Sequence, residues 1–410
     1  MTAVHDTRVP LLDAAGALAE ARRLGAEFAV GAAVRDKERL LPHDQIKALA
    51  RSGLLALTVP AEYGGADVSA ATLAEVVRLI SWGDPNIGQI PHSHFVYLNQ
   101  LRLHGTGEQR ARIFGEVLAG ALVANAQSEF GTKHVRDYRT TLHADPVTDP
   151  QPGPDGSDRW LLTGEKFYCT GSLFADYLAV LAHHGTGGPL AVAWVRTDAP
   201  GVEIVDDWDA VGQRTTGSGT VRLADVAVTA DWITDYAVEF TGPTTYGAFA
   251  QLLHAAIDAG IARRALDEAA EFVRTKSRPH PDAGVERAAD DPLVVRAFGE
   301  MELATRGVEA LLAAAGHAVD EANAHLTDAS AGAASLAVAA ARAGTTAVAV
   351  DVTSRLFEVA GTRSALGALD LDRHWRNART HTLHDPAAWK VQHLGRYAVD
   401  GTLPPRHGQL

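Results

Sequence analysis

Apolar residues recur at helical spacing over the first third of the chain, at strand spacing through the middle, and at helical spacing again from Pro243 to the end. Leu11 to Val34 is rich in alanine and leucine, with Glu20, Arg22, Arg23 and Glu27 at helical spacing, and predicts one helix. A second helix starts at Pro42 and a third behind Ser69 as its cap. Gly88 to Leu103 is mostly apolar yet carries His92, His94, Tyr97 and Asn99, which fits a buried helix or one wall of a pocket. Trp160 to Gly171 reads as strand, turn, strand; Tyr177 to His183 and Leu190 to Val195 suit buried strands, and Gly219 to Val228 alternates as a half-buried strand does. Glycine and proline cluster between these runs, at Pro152 to Gly156 and Gly185 to Pro189. Long helices follow over Tyr246 to Arg274, from an Asp290-Asp291 cap with Pro292 in the first turn, over Ala329 to Val359, and from Asp385 to Val399 with Gly401 as the stop. The pattern gives an α+β chain, mainly α: a helical part over 1–121, a β part over 122–236 and an antiparallel helical bundle over 237–410.

Composition narrows the function more than the fold. The chain has 410 residues, 46% of them hydrophobic, enough for two or three domains with real cores. A net charge of −13 argues against nucleic acid and against an anionic membrane surface, both of which need a basic face. Cys169 is the one cysteine, which excludes an internal disulfide framework and a thiolate zinc site. Met1 to Arg8 lacks the pattern of a signal peptide, and no uninterrupted run of about 18 apolar residues predicts a membrane span. The expectation is a cytoplasmic protein.

The densest chemistry lies in the run His374-Trp-Arg-Asn-Ala-Arg-Thr-His-Thr-Leu-His-Asp-Pro386. His381 and His384 are three apart and share a helix face. Asp385-Pro386 reads as an N-cap and first turn, so the two histidines face a helix–helix junction. Imidazole titrates near neutrality and serves as both acid and base. A metal site needs a third ligand, and Asp385 reads as a cap rather than a ligand. Elsewhere, Tyr168 and Thr170 alternate with Cys169 along a strand and point to one face, as a ligand-facing wall or as ordinary core. Asn125 and Ser128 suit close approach to a polar ring edge or a plain turn. Arg274, Lys276 and Arg278 form a basic cluster after a long helix. His94, with Tyr97 one turn on, is favoured over His92, which faces away from it.

The order of helical part, β part and bundle resembles the acyl-CoA dehydrogenase superfamily. So do Ala255-Ala-Ile-Asp-Ala-Gly-Ile-Ala-Arg-Arg-Ala-Leu, Leu162-Thr-Gly-Glu-Lys-Phe-Tyr-Cys-Thr-Gly and Gly217-Ser-Gly-Thr-Val-Arg-Leu. Dehydrogenases of that superfamily carry a glutamate base in the last bundle helices or on the earlier helix. This chain carries His381 and His384 at the late site, and the earlier helix offers Phe249-Ala-Gln-Leu-Leu-His. The run Leu371 to Pro386, the stretch Asn125-Ala-Gln-Ser-Glu and the tail Leu403-Pro-Pro-Arg-His-Gly resemble instead the reduced-flavin monooxygenases of this fold, the group of dibenzothiophene monooxygenase and the sulfur-acquisition oxidoreductases.

The resemblance implies reduced FMN, with FAD as the alternative, supplied by a separate NAD(P)H-dependent flavin reductase. It further implies dioxygen, a flavin hydroperoxide, a small organosulfur, heteroaromatic or amine substrate, and a homotetramer. It implies that Tyr168, Thr170, Asn125 and Ser128 meet the flavin, that Trp208 covers the pocket with Tyr97 and His94 beside it, and that Arg278 holds the phosphate. His384, His381 and His94 are the catalytic candidates. The alternatives are an acyl-CoA dehydrogenase or oxidase, which needs a carboxylate base, and a flavin-free scaffold.

Overall fold

The computed structural model describes residues 8–134, 137–144 and 159–408; Met1 to Thr7 and the turn signal at Pro152 to Gly156 lie outside them. Seven helices come first: α1 (Ala14–Ala29), α2 (Ala32–Glu38), α3 (His43–Arg51), α4 (Ala70–Gly83), α5 (Pro85–Gln89), α6 (His92–His104) and α7 (Gly107–Leu118). The helix expected over Leu11 to Val34 is two helices, because Gly31 takes a left-handed φ of 78° between them. The apolar run from Gly88 is likewise broken. Pro91 cannot continue α5, so α6 begins at His92. Ser69 caps α4 as expected, its hydroxyl accepting from Thr72 N–H.

Eight strands follow: β1 (Val123–Ala126), β2 (Thr141–Ala144), β3 (Arg159–Lys166), β4 (Tyr177–His184), β5 (Leu190–Arg196), β6 (Val202–Val205), β7 (Thr220–Thr229) and β8 (Ile233–Asp235). They form one curled sheet in the order β6-β7-β3-β2-β4-β5-β8. β1 runs parallel to the start of β4, Val123 opposite Tyr177, and β2 continues along the same edge with Thr141 opposite His183. The strand–turn–strand reading of Trp160 to Gly171 is corrected: β3 passes straight through Thr163-Gly164, with a bulge between Leu162 and Gly164. A Cβ on Gly164 would sit 2.3 Å from Thr140 Oγ1, so glycine there permits the close approach of the β2 side.

The chain ends in α8 (Tyr246–Thr275), α9 (Pro292–Ala324), α10 (Asp328–Ala360), α11 (Asp372–His381) and α12 (Ala387–Asp400). Asp291 caps α9 by accepting from Leu293 N–H, and Gly401 closes α12 in the left-handed region. α8 is the axis of the molecule: Tyr246 to Ala262 is buried throughout, against α4, α6, α9, α10 and α11. Each fully buried Leu or Ile of this helix contributes about 1.5–3 kcal/mol. α4 crosses it at Gly260, where a Cβ would lie 2.6 Å from Arg78 O. α10 has the length and composition of a membrane-crossing helix. Here it packs against α8, α9 and α12, and its buried Arg342 is paired inside the bundle.

Two anchors fix α11, which carries the densest chemistry. Arg373 and His374 both reach Glu268 of α8, at 2.6 and 3.0 Å. Arg376 donates to Asp36 of α2 at 2.6 Å.

Candidate active site

Four imidazoles from three elements meet at the junction of α6, α8 and the end of α11. His92 opens α6, and its Nε2–H donates to the Ala250 carbonyl at 3.0 Å. Its ring stacks on His254 of α8 at 3.8 Å between centroids, with 27° between planes. His384, just past α11, lies against His254 at 3.9 Å and 6.4 Å from His92, so His254 sits between the two. His381 meets His254 with the rings tilted by 46°, Nε2 to Nδ1 at 3.1 Å. His384 is half exposed, whereas His92, His254 and His381 are buried. Burial lowers the pKa of all three, His92 to about 3; at neutral pH this core is uncharged imidazole.

Beneath the imidazoles lies a buried layer of charge. His381 Nδ1–H donates to Asp258 Oδ1 at 2.6 Å. Asp258, fully buried one turn after His254, is also paired with Arg342 of α10 and accepts from Thr346 Oγ1 at 3.4 Å. Arg342 reaches on to Asp385 at 3.5 Å, and Lys390 of α12 lies 2.9 Å from the same carboxylate. The expected capping role of Asp385 is therefore corrected: Pro386 takes the N-cap position of α12 with no side-chain cap bond, and the Asp385 carboxylate is buried among cations. Burial opposes its ionisation, but His384, Arg342 and Lys390 together hold it well below the usual carboxylate range.

A second face stands on the β side. Tyr168 is not on a strand. β3 ends at Lys166, and Tyr168 has a φ of 58° and is 52% exposed, so its direction comes from a loop rather than from alternation. It meets Trp208 edge-on at 5.9 Å, and the Trp208 Nε1–H donates to the Gln213 carbonyl at 2.7 Å. Thr170, Ser218 and Thr216 form a chain of hydroxyls, each step 2.7 Å, that ends on the same carbonyl at 3.0 Å. Asn125 of β1 donates to the Tyr168 carbonyl at 3.5 Å, while its buried Oδ1 has no hydrogen-bond partner among the described residues. Ser128 contributes its backbone carbonyl, which accepts from Phe167 N–H at 2.8 Å. This loop is tied to the bundle. Gln213 N–H donates to Asn377 Oδ1 of α11 at 2.6 Å, and a Cβ on Gly212 would lie 2.0 Å from the Arg376 carbonyl.

Three expected site residues are placed elsewhere. His94 is fully buried, with Nε2–H donating to the Leu55 carbonyl at 2.8 Å and Nδ1 accepting from Val123 N–H at 3.1 Å. Both nitrogens serve the backbone, so His94 locks α6 to β1, and the histidine facing the cluster is His92. Tyr97 is buried, its hydroxyl donating to Gln127 at 3.0 Å. Arg278 is exposed beyond the end of α8; about 30 Å of helix separates His254 from Thr275. Within one chain Arg278 and the imidazoles cannot share a small ligand. Among the described residues, no group of three or more His, Cys, Asp and Glu is arranged to hold a metal ion.

His254, Asp258, Arg342 and Lys390 had no assigned role in the sequence. A signal existed for three of them. His254 and Asp258 are four apart in the mostly apolar first half of α8, and Arg342 is the one charged residue between Ala329 and Val350.

The chain as a whole is similar to known proteins. The family model for the acyl-CoA dehydrogenase N-terminal domain matches residues 17–121, and that for the C-terminal domain matches 252–388. The chain is 32% identical over 403 residues to a dibenzothiophene monooxygenase of Rhodococcus qingshengii, covering 94% of each chain. It is 31% identical over 400 residues to a probable FMNH2-dependent monooxygenase, SfnC, of Pseudomonas putida, covering 95% of this chain and 96% of that one. Among solved structures, FMN-bound TdsC from Paenibacillus sp. A11-2 superposes with a TM-score of 0.86 at 31% identity, over 95% of this chain and all of that one (100%).

Proposed function

The chain belongs to the acyl-CoA dehydrogenase family, and from that premise we propose that it oxygenates a small organosulfur compound with reduced FMN held between the Tyr168–Trp208 face and the imidazole cluster. It is a flavin-dependent monooxygenase of the two-component kind, whose reduced flavin comes from a separate reductase. The residues fit the cofactor. The unpartnered Asn125 Oδ1 and the hydroxyl chain from Thr170 offer hydrogen bonds to a ring's polar edge, and Tyr168 with Trp208 offers an aromatic wall. When bound, reduced FMN supplies two electrons and two protons, so that one atom of dioxygen goes to a thioether sulfur, giving the sulfoxide, and the other leaves as water. The protein's part is to exclude water and to manage those protons. Buried His92 forms a dry wall, and the half-exposed His384, with His254 packed directly behind it, is the edge of the cluster placed to exchange a proton with the reacting face.

The observation that carries this reading is the neutral imidazole stack. A dehydrogenase base is a free carboxylate, and here both nearby carboxylates are engaged: Asp258 by His381 and Arg342, Asp385 by Arg342 and Lys390. The test is to mix the protein with photoreduced FMN, oxygen and an aromatic thioether. The expected result is the sulfoxide or sulfone, with His384→Ala diverting oxygen to free hydrogen peroxide. Peroxide alone, from wild type and variant alike, would overturn the reading. Bleaching of oxidised flavin by an acyl-CoA would replace it with the dehydrogenase.

We also infer a homotetramer built on the bundle. Leu293, Val295 and Leu303 of α9 and Trp389, Val391 and Val399 of α12 are exposed, Val399 to 84%. Arg278, too distant to serve its own chain's flavin, would then reach the phosphate of a neighbour's. Sedimentation should give four times 43.3 kDa, and a single-chain mass would refute the tetramer.

A further inference from the structure

We propose that Asp258 is a positioning residue that, through His381, fixes the proton of His254 on Nδ1 and leaves His254 Nε2 as the base of the site. The proposal deepens the monooxygenase reading and rests on it for the reaction served.

The argument runs along one line of hydrogen bonds. A carboxylate only accepts, so the 2.6 Å contact with Asp258 Oδ1 puts a proton on His381 Nδ1. A neutral His381 then carries a lone pair on Nε2. That nitrogen is 3.1 Å from His254 Nδ1, which must be the donor. Neutral His254 is left with its lone pair on Nε2, which makes no hydrogen bond to the described chain. Burial, the first cause of the lowered pKa of both rings, keeps each of them neutral. The groups around His254 agree with this order: His92 on α6, His381 on α11, His384 beyond it, Arg342 on α10 and Asp258 on its own helix.

A proton accepted at His254 Nε2 releases the Nδ1 proton to His381 Nε2, and His381 in turn passes its own Nδ1 proton towards Asp258. The group that lost the proton keeps the electron pair. Reversal returns the proton to the oxygen that leaves as water, so nothing is consumed along the line. Arg342 and Thr346 also fix which Asp258 oxygen does what, since both donate to Oδ2 and leave Oδ1 for His381.

This last point gives a sharp test. In Asp258→Asn, the donors Arg342 and Thr346 hold the amide oxygen at the δ2 position and turn the NH2 towards His381. Every tautomer on the line then inverts, and His254 carries its proton on Nε2. The protein, labelled with 15N-histidine, is examined by NMR at neutral pH without flavin or substrate. The wild type is expected to show His254 protonated at Nδ1, and Asp258→Asn to show it protonated at Nε2 with reduced-FMN binding retained. Oxygenation by Asp258→Asn should fall on the order of 10²–10⁴-fold, the usual worth of a positioned acid–base group. His381→Gln, which leaves the Arg342–Asp258 pair intact, should fall in the same direction with its melting temperature unchanged. The proposal is overturned if wild-type His254 is protonated at Nε2, or if folded Asp258→Asn keeps the wild-type tautomer. If the wild type oxygenates no substrate, the functional reading fails, while the tautomer still decides the relay.

Discussion

Two buried carboxyls, each beside an imidazole, flank the start of α8, and they behave in opposite ways. Asp385, beside His384, is surrounded by Arg342 and Lys390 and stays ionised although burial works against it. Glu239, seven residues before α8 begins, has His104 Nε2 at 2.9 Å and a hydroxyl bond from Thr244 at 2.7 Å. Burial drives its pKa from 4.5 up to about 7, with the Thr244 bond opposing the rise, and His104 is itself pushed down by burial first. An imidazole alone does not keep a buried carboxyl charged, because it gives up its own proton under the same desolvation. A guanidinium does, because it cannot be neutralised in the accessible range. The candidate site is thus a charged layer supporting neutral imidazoles, while Glu239 beside His104 keeps its proton up to a pH of about 7.

The largest blow to this contrast is Arg342→Met. It leaves Asp258 and Asp385 buried without their shared cation, and should cost about 3–5 kcal/mol in urea denaturation. A loss under about 1 kcal/mol would mean the carboxylates find other partners. Next is Glu239→Gln. A folded-state pKa raised from 4.5 to about 7 gives stability that is present in full below 4.5 and lost as pH rises through 7. The wild type should lose up to about 3 kcal/mol across that window relative to Glu239→Gln. Parallel stability curves for the two proteins would remove the contrast. The smallest effect is expected from Thr244→Val. It deletes a hydrogen bond worth about 1 kcal/mol that favours the ionised form, and should move the Glu239 step up by less than about one pH unit. A downward step would reverse the role given to that hydroxyl.

Much of the fold was legible because its signals are local. Ser69, Asp291 and Gly401 each sit where a cap is needed, and the period of the apolar residues separates helix from strand without help from distant contacts. The site was legible only in part, because its decisive partners are far apart in sequence. Asp385-Pro386 has the local form of a cap, yet Arg342, 43 residues earlier, offers its carboxylate a stronger partner. Asp258 and His381 are 123 residues apart, so nothing in the run around His381 announces the carboxylate that orients it. The choice between His92 and His94 turned on where α6 begins, which Pro91 decides, and on two backbone bonds to His94 that no side-chain pattern encodes.

The single hydrogen bond from Gln213 N–H to Asn377 has a consequence for timing. That amide is sealed only while α11 is docked, and α11 carries His381 at its other end. The rate at which Gln213 trades its amide hydrogen for deuterium therefore acts as a clock for excursions of the helix. With Gly212 leaving no room for a side chain against Arg376, the aromatic wall and the imidazoles must separate or stay together as one jaw.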